Sequence, residues 1–345
     1  MPSNLATYPD PMIDKLCAEV VHAAVAPDVA AAYAIWDGQR WKAGVGGSLK
    51  LFDLASLTKS FVAVAAALSG LPMSTRLGDV LPALAHSASA SVSLEALLAH
   101  RSGLKAHEKL WLCSSKAAGL RRAADSREKN WDGVHAIYSD LGYILAGEML
   151  CANERKPLAR VVSELVCAPL DIGVCAAELL AGNDVAPTEF LPGRGGLLCG
   201  QVHDDNAWFL SKKGISGHAG LFGTAADVLR FGAAVAESLR GAGPFAGALD
   251  ELLRRRDGGV MRAGFDGKAG PASLAGARSG EETFGHLGFT GTSYWVDPIA
   301  GIVTVLLTNR VSPSSAPTAG IRTWRPKVHD ALFDHALRAL RTSSE

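Results

Sequence analysis

Phe52-Asp53-Leu54-Ala55-Ser56-Leu57-Thr58-Lys59-Ser60-Phe61-Val62-Ala63-Val64-Ala65-Ala66-Ala67-Leu68 is the stretch on which the reading of this chain turns. The run from Phe61 to Leu68 is apolar and alanine-rich, as a buried helix should be, and Gly70 with Pro72 ends it. Ser56 therefore falls in the first turn of a core helix, with Lys59 one turn further on. Residues three apart share a helix face, so the Lys59 ammonium can reach the Ser56 oxygen. The helix N-terminus adds positive potential where an oxyanion would form. A serine hydroxyl becomes a competent nucleophile once a neighbouring base takes its proton, and a lysine whose pKa is depressed by burial can do so. A plainer reading of the same four residues makes Ser56 a helix N-cap and Lys59 a solvated side chain.

Composition narrows the field. The 345 residues suit one large domain or two fused lobes, and 48% of them are apolar. Lys plus Arg equals Asp plus Glu at 34 each, which excludes the basic footprint of a nucleic-acid binder. The apolar run from Phe61 to Leu68 is far shorter than the roughly 20 residues of a membrane span. Met1 to Asp10 carries neither a basic start nor an apolar signal-peptide core, so a cytoplasmic protein is expected. The six cysteines, Cys17, Cys113, Cys151, Cys167, Cys175 and Cys199, are scattered without zinc-like spacing. They read as buried thiols of a reducing compartment.

In chain order, Asp10 to Ala26 has helical spacing. Ala31–Trp36 and Gln39–Gly46 flank Asp37-Gly38, a hairpin signal. From Arg76 to about Ala181 the pattern is mostly helical, with segments at Leu77–Leu84, Ser93–Leu98, Leu141–Cys151 and Leu158–Val166. Pro187 to Gly220 reads as loop. Thr224–Leu239 and Ala248–Arg255 read as helices. Thr283–Val296 and Gly301–Asn309 read as two strands, and Lys327–Arg341 as a closing amphipathic helix. Strands at both ends and helices in the middle predict an α/β (α+β) fold. Its antiparallel sheet is built from N- and C-terminal strands and flanked by helices, with an inserted, mostly helical lobe. The expected layout is a single catalytic domain, 1–345, with a sheet lobe of 1–75 and 220–345 and a helical and loop lobe of 76–219. The cleft between lobes is where a site forms.

Two further stretches join Ser56 and Lys59. Tyr138-Ser139-Asp140 stands at a loop–helix junction, where the phenol can reach the cleft. An adjacent ammonium favours its phenolate, which can accept or relay a proton. The plain alternative is a packed aromatic followed by a helix-start carboxylate. Phe284-Gly285-His286-Leu287-Gly288-Phe289-Thr290-Gly291-Thr292 has glycines inside a strand, which mark close approach of a backbone or ligand. Alternation would turn His286 and Gly288 to the cleft and Leu287 away. His286 is equally readable as a satisfied strand histidine.

Taken together, these motifs resemble the serine β-lactamase and penicillin-binding-protein superfamily, above all its class C-type branch of lactamases, esterases and D-amino-acid peptidases. That family carries Ser-x-x-Lys, Tyr-x-Asn and Lys-Thr-Gly elements, matched here by Ser56/Lys59, Tyr138/Asp140 and His286-Leu287-Gly288. Leu97-Leu98-Ala99-His100-Arg101-Ser102-Gly103-Leu104 and Gly217-His218-Ala219-Gly220-Leu221-Phe222-Gly223-Thr224-Ala225-Ala226-Asp227 also resemble family segments, in the family's order. The resemblance implies a β-lactamase/transpeptidase-like fold and a serine hydrolase working through an acyl-enzyme. It implies Ser56, Lys59 and Tyr138 as catalytic residues, and Asp140, His286, Gly288, Phe289 and His218 around the oxyanion and substrate. The N–H groups of Ser56 and Phe289 would form the oxyanion hole, such donors being worth about 3 kcal/mol each. No cofactor or metal is implied, and the partner is a small-molecule ester, amide or β-lactam.

Two departures bear on substrate. Asp140 replaces asparagine and would hold Lys59 as an ammonium, shifting proton acceptance to Tyr138. His286 and Leu287 replace the Lys and Thr that help receive a substrate carboxylate. A neutral carboxylic ester is therefore the expected substrate. A β-lactamase or D-amino-acid peptidase, and a non-catalytic binding or sensor module of the same fold, are the alternatives. The absence of a Gly-x-Ser-x-Gly elbow argues against an α/β-hydrolase, and the absence of His-Glu-x-x-His against a metallohydrolase, leaving His203-Asp204-Asp205 as a loop hydrogen-bonding cluster.

Overall fold

A computed structural model describes residues 5–180, 184–212, 214–316 and 318–341. Asp10 accepts hydrogen bonds from the N–H groups of Met12 and Ile13, and Pro11 follows it, so helix α1 (Pro11–His22) starts where these caps dictate. The hairpin joins β2 (Val29–Trp36) to β3 (Trp41–Gly47), with the Asp37 carboxylate accepting from the N–H groups of Gln39 and Arg40.

These strands lie in a seven-stranded sheet of order β1-β3-β2-β7-β6-β5-β4. Here β1 is Tyr8–Pro9, β4 Asp266–Gly267, β5 Phe284–Leu287, β6 Ser293–Asp297 and β7 Ile302–Thr308. Only the β1–β3 pair is parallel. N- and C-terminal strands meet at the β2–β7 pair, in register from Ile35↔Ile302 to Val29↔Thr308.

The period-two alternation of these two strands sorts side chains into two cores. Ala31, Tyr33, Ile35, Ile302 and Leu306 pack against α1 and the C-terminal helix α5 (Ala319–Arg341). Ala30, Ala32, Ala34, Val303, Val305 and Leu307 face helix α2 (Thr58–Leu68) and helix α4 (Ala225–Ser238). Glycine lets α1 come this close: a Cβ on Gly46 would lie 2.7 Å from the backbone nitrogen of Asp14. Helix α3 (Asp140–Glu154), capped by the Ser139 hydroxyl, is the spine of the helical part.

Four expectations differ in detail. Thr283–Val296 is a hairpin rather than one strand, because Gly288 to Thr292 turns the chain between β5 and β6. The Pro187–Gly220 tract contains a small hairpin, Phe190–Leu191 with Gly196–Leu197, and a helix, Asp205–Ser211, capped by Asp204. Its polar composition masks that cap signal. The helix expected over Ala248–Arg255 shrinks to Asp250–Leu253. Helix α5 starts eight residues before Lys327, carrying Pro326 inside it. Proline reads as a start signal because it lacks an N–H, yet a helix packed along one side tolerates the missing bond. Of the cysteines, Cys17 and Cys167 are buried and Cys199 is exposed; all six are free thiols. None of the described helices is long and apolar enough to cross a membrane.

Candidate active site

Ser56 does not sit inside α2. It occupies a 3-10 turn, Ala55–Leu57, immediately before it. Ala55 adopts a left-handed φ of 47°, which costs an alanine roughly 1–2 kcal/mol. The buried Asp53 holds this conformation, its carboxylate accepting from the N–H groups of Ala55 (2.8 Å) and His203 (2.7 Å). Burial pushes the Asp53 pKa up.

The turn after β5 is clipped to the same segment. Thr290 Oγ1 donates to Asp53 O at 2.7 Å and Thr292 Oγ1 to Leu54 O at 3.1 Å. A Cβ on Gly288 would lie 2.0 Å from Thr292 Oγ1 and 2.9 Å from Leu54 O, so only glycine fits there. Ser56 and Phe289 are thereby brought to one cleft of about 740 Å³. No acceptor for the N–H of Ser56 or of Phe289 is found among the described residues.

Beneath the cleft, the fully buried Lys59 ammonium contacts three acceptors: Ser56 Oγ at 2.8 Å, His218 O at 3.1 Å and Asp140 Oδ1 at 2.7 Å. Burial works to lower the lysine pKa, but the charge and hydrogen bonds of Asp140 and Tyr138 outweigh it and the pKa is raised. Burial likewise disfavours the Asp140 carboxylate, yet Lys59 and His107 hold its pKa well below the usual range. His107, 3.6 Å from Asp140 Oδ2, is raised in turn by that contact.

Tyr138 lies beside the lysine, its ring centroid 5.0 Å from Nζ, and Lys59 and Ser56 both act on its phenol. Its pKa is raised, because burial outweighs the neighbouring ammonium. The ammonium does favour the phenolate, as the sequence reading expects, but burial is the larger effect and sets the net direction. Against the same ring stands His100, centroid to centroid 4.5 Å, whose Nδ1 accepts from Ser139 N–H at 2.9 Å. His100 was visible in the sequence only as part of the Leu-Leu-x-His motif.

His286 donates from Nδ1 to Leu287 O at 2.9 Å, and burial with the nearby Lys59 charge lowers its pKa to about 3. It is a neutral imidazole. Leu287 lines the cleft together with His286 and Gly288 rather than facing away, since the strand gives way to the turn there. His218 is not among the cleft-lining residues: it meets Lys59 through its carbonyl, while Nε2 pairs with Asp204 Oδ1 at 2.8 Å.

The sequence reading did not assign to the site three arginines that line the cleft: Arg310, from the segment after β7, and Arg322 and Arg325, from α5. Trp111, Met261, Leu274 and Ile321 give it apolar walls. Among the described residues, no group of three or more His, Cys, Asp or Glu side chains is placed to hold a metal ion.

Such an arrangement can generate a serine nucleophile beside two free N–H donors, and known proteins with the same architecture are numerous. A Salmonella agona protein, provisionally named a D-alanyl-D-alanine carboxypeptidase, is 28% identical over 244 residues, covering 64% of this chain and 54% of that protein. The chain thus spans about half the length of the curated relatives it matches. A β-lactamase from Mycobacterium bovis superposes with a TM-score of 0.61 at 22% identity, over 93% of this chain and 99% of that one. EstCE1, a hydrolase with promiscuous acyltransferase activity, superposes with a TM-score of 0.67 at 18% identity, over 93% of this chain and 100% of that one. These structural likenesses establish a shared fold. Matched by the family's sequence model from residue 18 to residue 325, the chain belongs to the Beta-lactamase family.

Proposed function

We propose that the protein is a serine acyl hydrolase that cleaves a neutral carboxylic ester through an acyl-enzyme on Ser56. The observation that carries this reading is the use of the Lys59 ammonium. Its Nζ donates to Ser56 Oγ at 2.8 Å and is also held by His218 O and Asp140 Oδ1. With Oγ accepting from lysine, the hydroxyl proton is left for another acceptor, and Tyr138, which lines the cleft beside Ser56 and Lys59, is the neighbouring base.

Tyr138, as the phenolate, takes the serine proton while Oγ forms its bond to the acyl carbon. Lys59 stays charged and offsets the phenolate and the nascent alkoxide. The N–H groups of Ser56 and Phe289 receive the oxyanion. Tyr138 then returns the proton to the departing alkoxide. Water repeats the sequence on the acyl-enzyme, with Tyr138 again as acceptor, and the acid leaves.

The preference for a neutral substrate rests on His286, uncharged where the family carries a lysine, and on the apolar walls. A second reading, a β-lactam or D-amino-acid amide, is favoured by one observation: Arg322 lines the cleft with an exposed side chain.

Intact-mass analysis after exposure to a fluorophosphonate, with the adduct mapped, tests the nucleophile. Modification of Ser56 is expected. An unmodified Ser56 together with no turnover of short-chain esters would leave a non-catalytic binding module. Turnover of a chromogenic cephalosporin in preference to any neutral ester would establish the second reading.

A further inference from the structure

We infer that Arg325 is a positioning residue that orients and polarises the Gly288–Phe289 peptide, making the N–H of Phe289 a stronger oxyanion donor. This rests on the acyl-hydrolase reading above. Arg325 is buried in the second turn of the 23-residue helix α5. Its Nη2 donates to Gly288 O at 2.6 Å and to Thr292 O at 3.0 Å. Gly288 O and Phe289 N–H belong to one peptide unit. In a planar trans peptide they point in opposite directions, so a carbonyl held toward α5 sends its N–H away from the helix. Gly288 and Phe289 line the cleft together with Ser56.

The bond is also charge-assisted, which makes it stronger than a neutral one. Drawing electron density onto the carbonyl oxygen increases the double-bond character of C–N and leaves the N–H more positive. Burial and the neighbouring Arg310 lower the Arg325 pKa to about 10, so the guanidinium stays charged at neutral pH.

Arg310 makes the contrast. Its Nε and Nη2 donate to Phe289 O at 2.8 and 2.6 Å. That carbonyl belongs to the Phe289–Thr290 peptide, so Arg310 anchors the turn without acting on the Phe289 N–H. Packing alone is a poor reason for Arg325. A buried guanidinium is costly to desolvate, and Arg325 Nε finds no acceptor among the described residues.

The test uses the full chain with Arg325→Gln and Arg325→Lys. Three quantities are measured: kcat/KM for a neutral ester, affinity for phenylboronic acid, which forms an anionic tetrahedral adduct, and the infrared carbonyl frequency of the acyl-enzyme of a slowly released ester. For Arg325→Gln we expect kcat/KM and boronate affinity to fall about 10–100-fold. KM should change little and the carbonyl absorption should move to higher frequency. Arg325→Lys keeps the charge without the planar fork and is expected midway. A folded glutamine variant with wild-type frequency and boronate affinity overturns the inference, as does a lysine variant no better than glutamine. If the glutamine variant does not fold, the lysine variant decides alone, and a wild-type carbonyl frequency there overturns it. Fluorophosphonate mapping on the wild type separates the two readings. Failure to label Ser56 sinks the acyl-hydrolase reading, whereas labelled Ser56 with an unmoved carbonyl sinks only this one.

Discussion

The ammonium of Lys59, with no solvent exposure of its side chain, lies 2.7 Å from Oδ1 of Asp140, a carboxylate one-fifth exposed to the cleft. The pairing helps keep lysine charged, since the aspartate together with Tyr138 outweighs the desolvation that would otherwise free a neutral amine. Asp140 also raises the pKa of Tyr138.

Asp140→Asn removes a negative charge from both groups. The signs agree: each pKa falls, because a nearby carboxylate favours the ammonium and disfavours the phenolate. In the wild type, acylation should rise with pH into the alkaline range as Tyr138 ionises. In the variant that limb should lie at lower pH. A pH profile of kcat/KM for a neutral ester, run on both proteins, checks this, and superimposable profiles would disconnect Asp140 from the proton acceptor.

Ser56→Ala should abolish ester turnover and leave the thermal midpoint close to wild type. Loss of a nucleophile from such a group typically costs several orders of magnitude in rate. Steady-state kinetics beside a melting curve decide it; a variant that retains most of the rate would move the nucleophile elsewhere.

His286→Lys with Leu287→Thr should raise kcat/KM for a carboxylate-bearing β-lactam relative to a neutral ester. His286 is uncharged across the neutral range, its pKa being near 3, so the wild type offers no cation at that position. Both substrates should be measured on both proteins. A wild type that already prefers the β-lactam would transfer the carboxylate's recognition to Arg322, and Arg322→Ala should then lower that preference.

Gly288→Ala should damage both stability and activity. The added methyl would sit 2.0 Å from Thr292 Oγ1 and 2.9 Å from Leu54 O. Overpacking of this kind costs about 1–3 kcal/mol. Relieving it separates the turn that carries Phe289 from the segment that carries Ser56. A denaturant midpoint lowered together with kcat/KM is expected. Loss of stability with full activity would show that the two segments need not touch.

Arg325→Gln, with its boronate and carbonyl readouts, bears on the same turn from the opposite side.

Local pattern alone carried the main elements. A β-branched apolar run located β7, the run after Lys59 located α2, and Asp37-Gly38 between apolar-bearing runs located the hairpin of β2 and β3. These signals are local because backbone hydrogen bonds and turn conformations involve residues close in sequence. The three-residue spacing of Ser56 and Lys59 likewise predicts their contact. Tertiary structure decided what spacing cannot reach. The sequence reading of Tyr138 weighed one neighbouring ammonium; burial, summed over residues from many parts of the chain, reversed the sign. The His218 side chain turned to Asp204 instead of the cleft. Arg325, nearly 270 residues beyond Ser56, reached the turn that carries Phe289 only because α5 packs along the sheet. Desolvation and through-space charge depend on distance in the folded molecule, and the order of residues along a chain does not contain that distance.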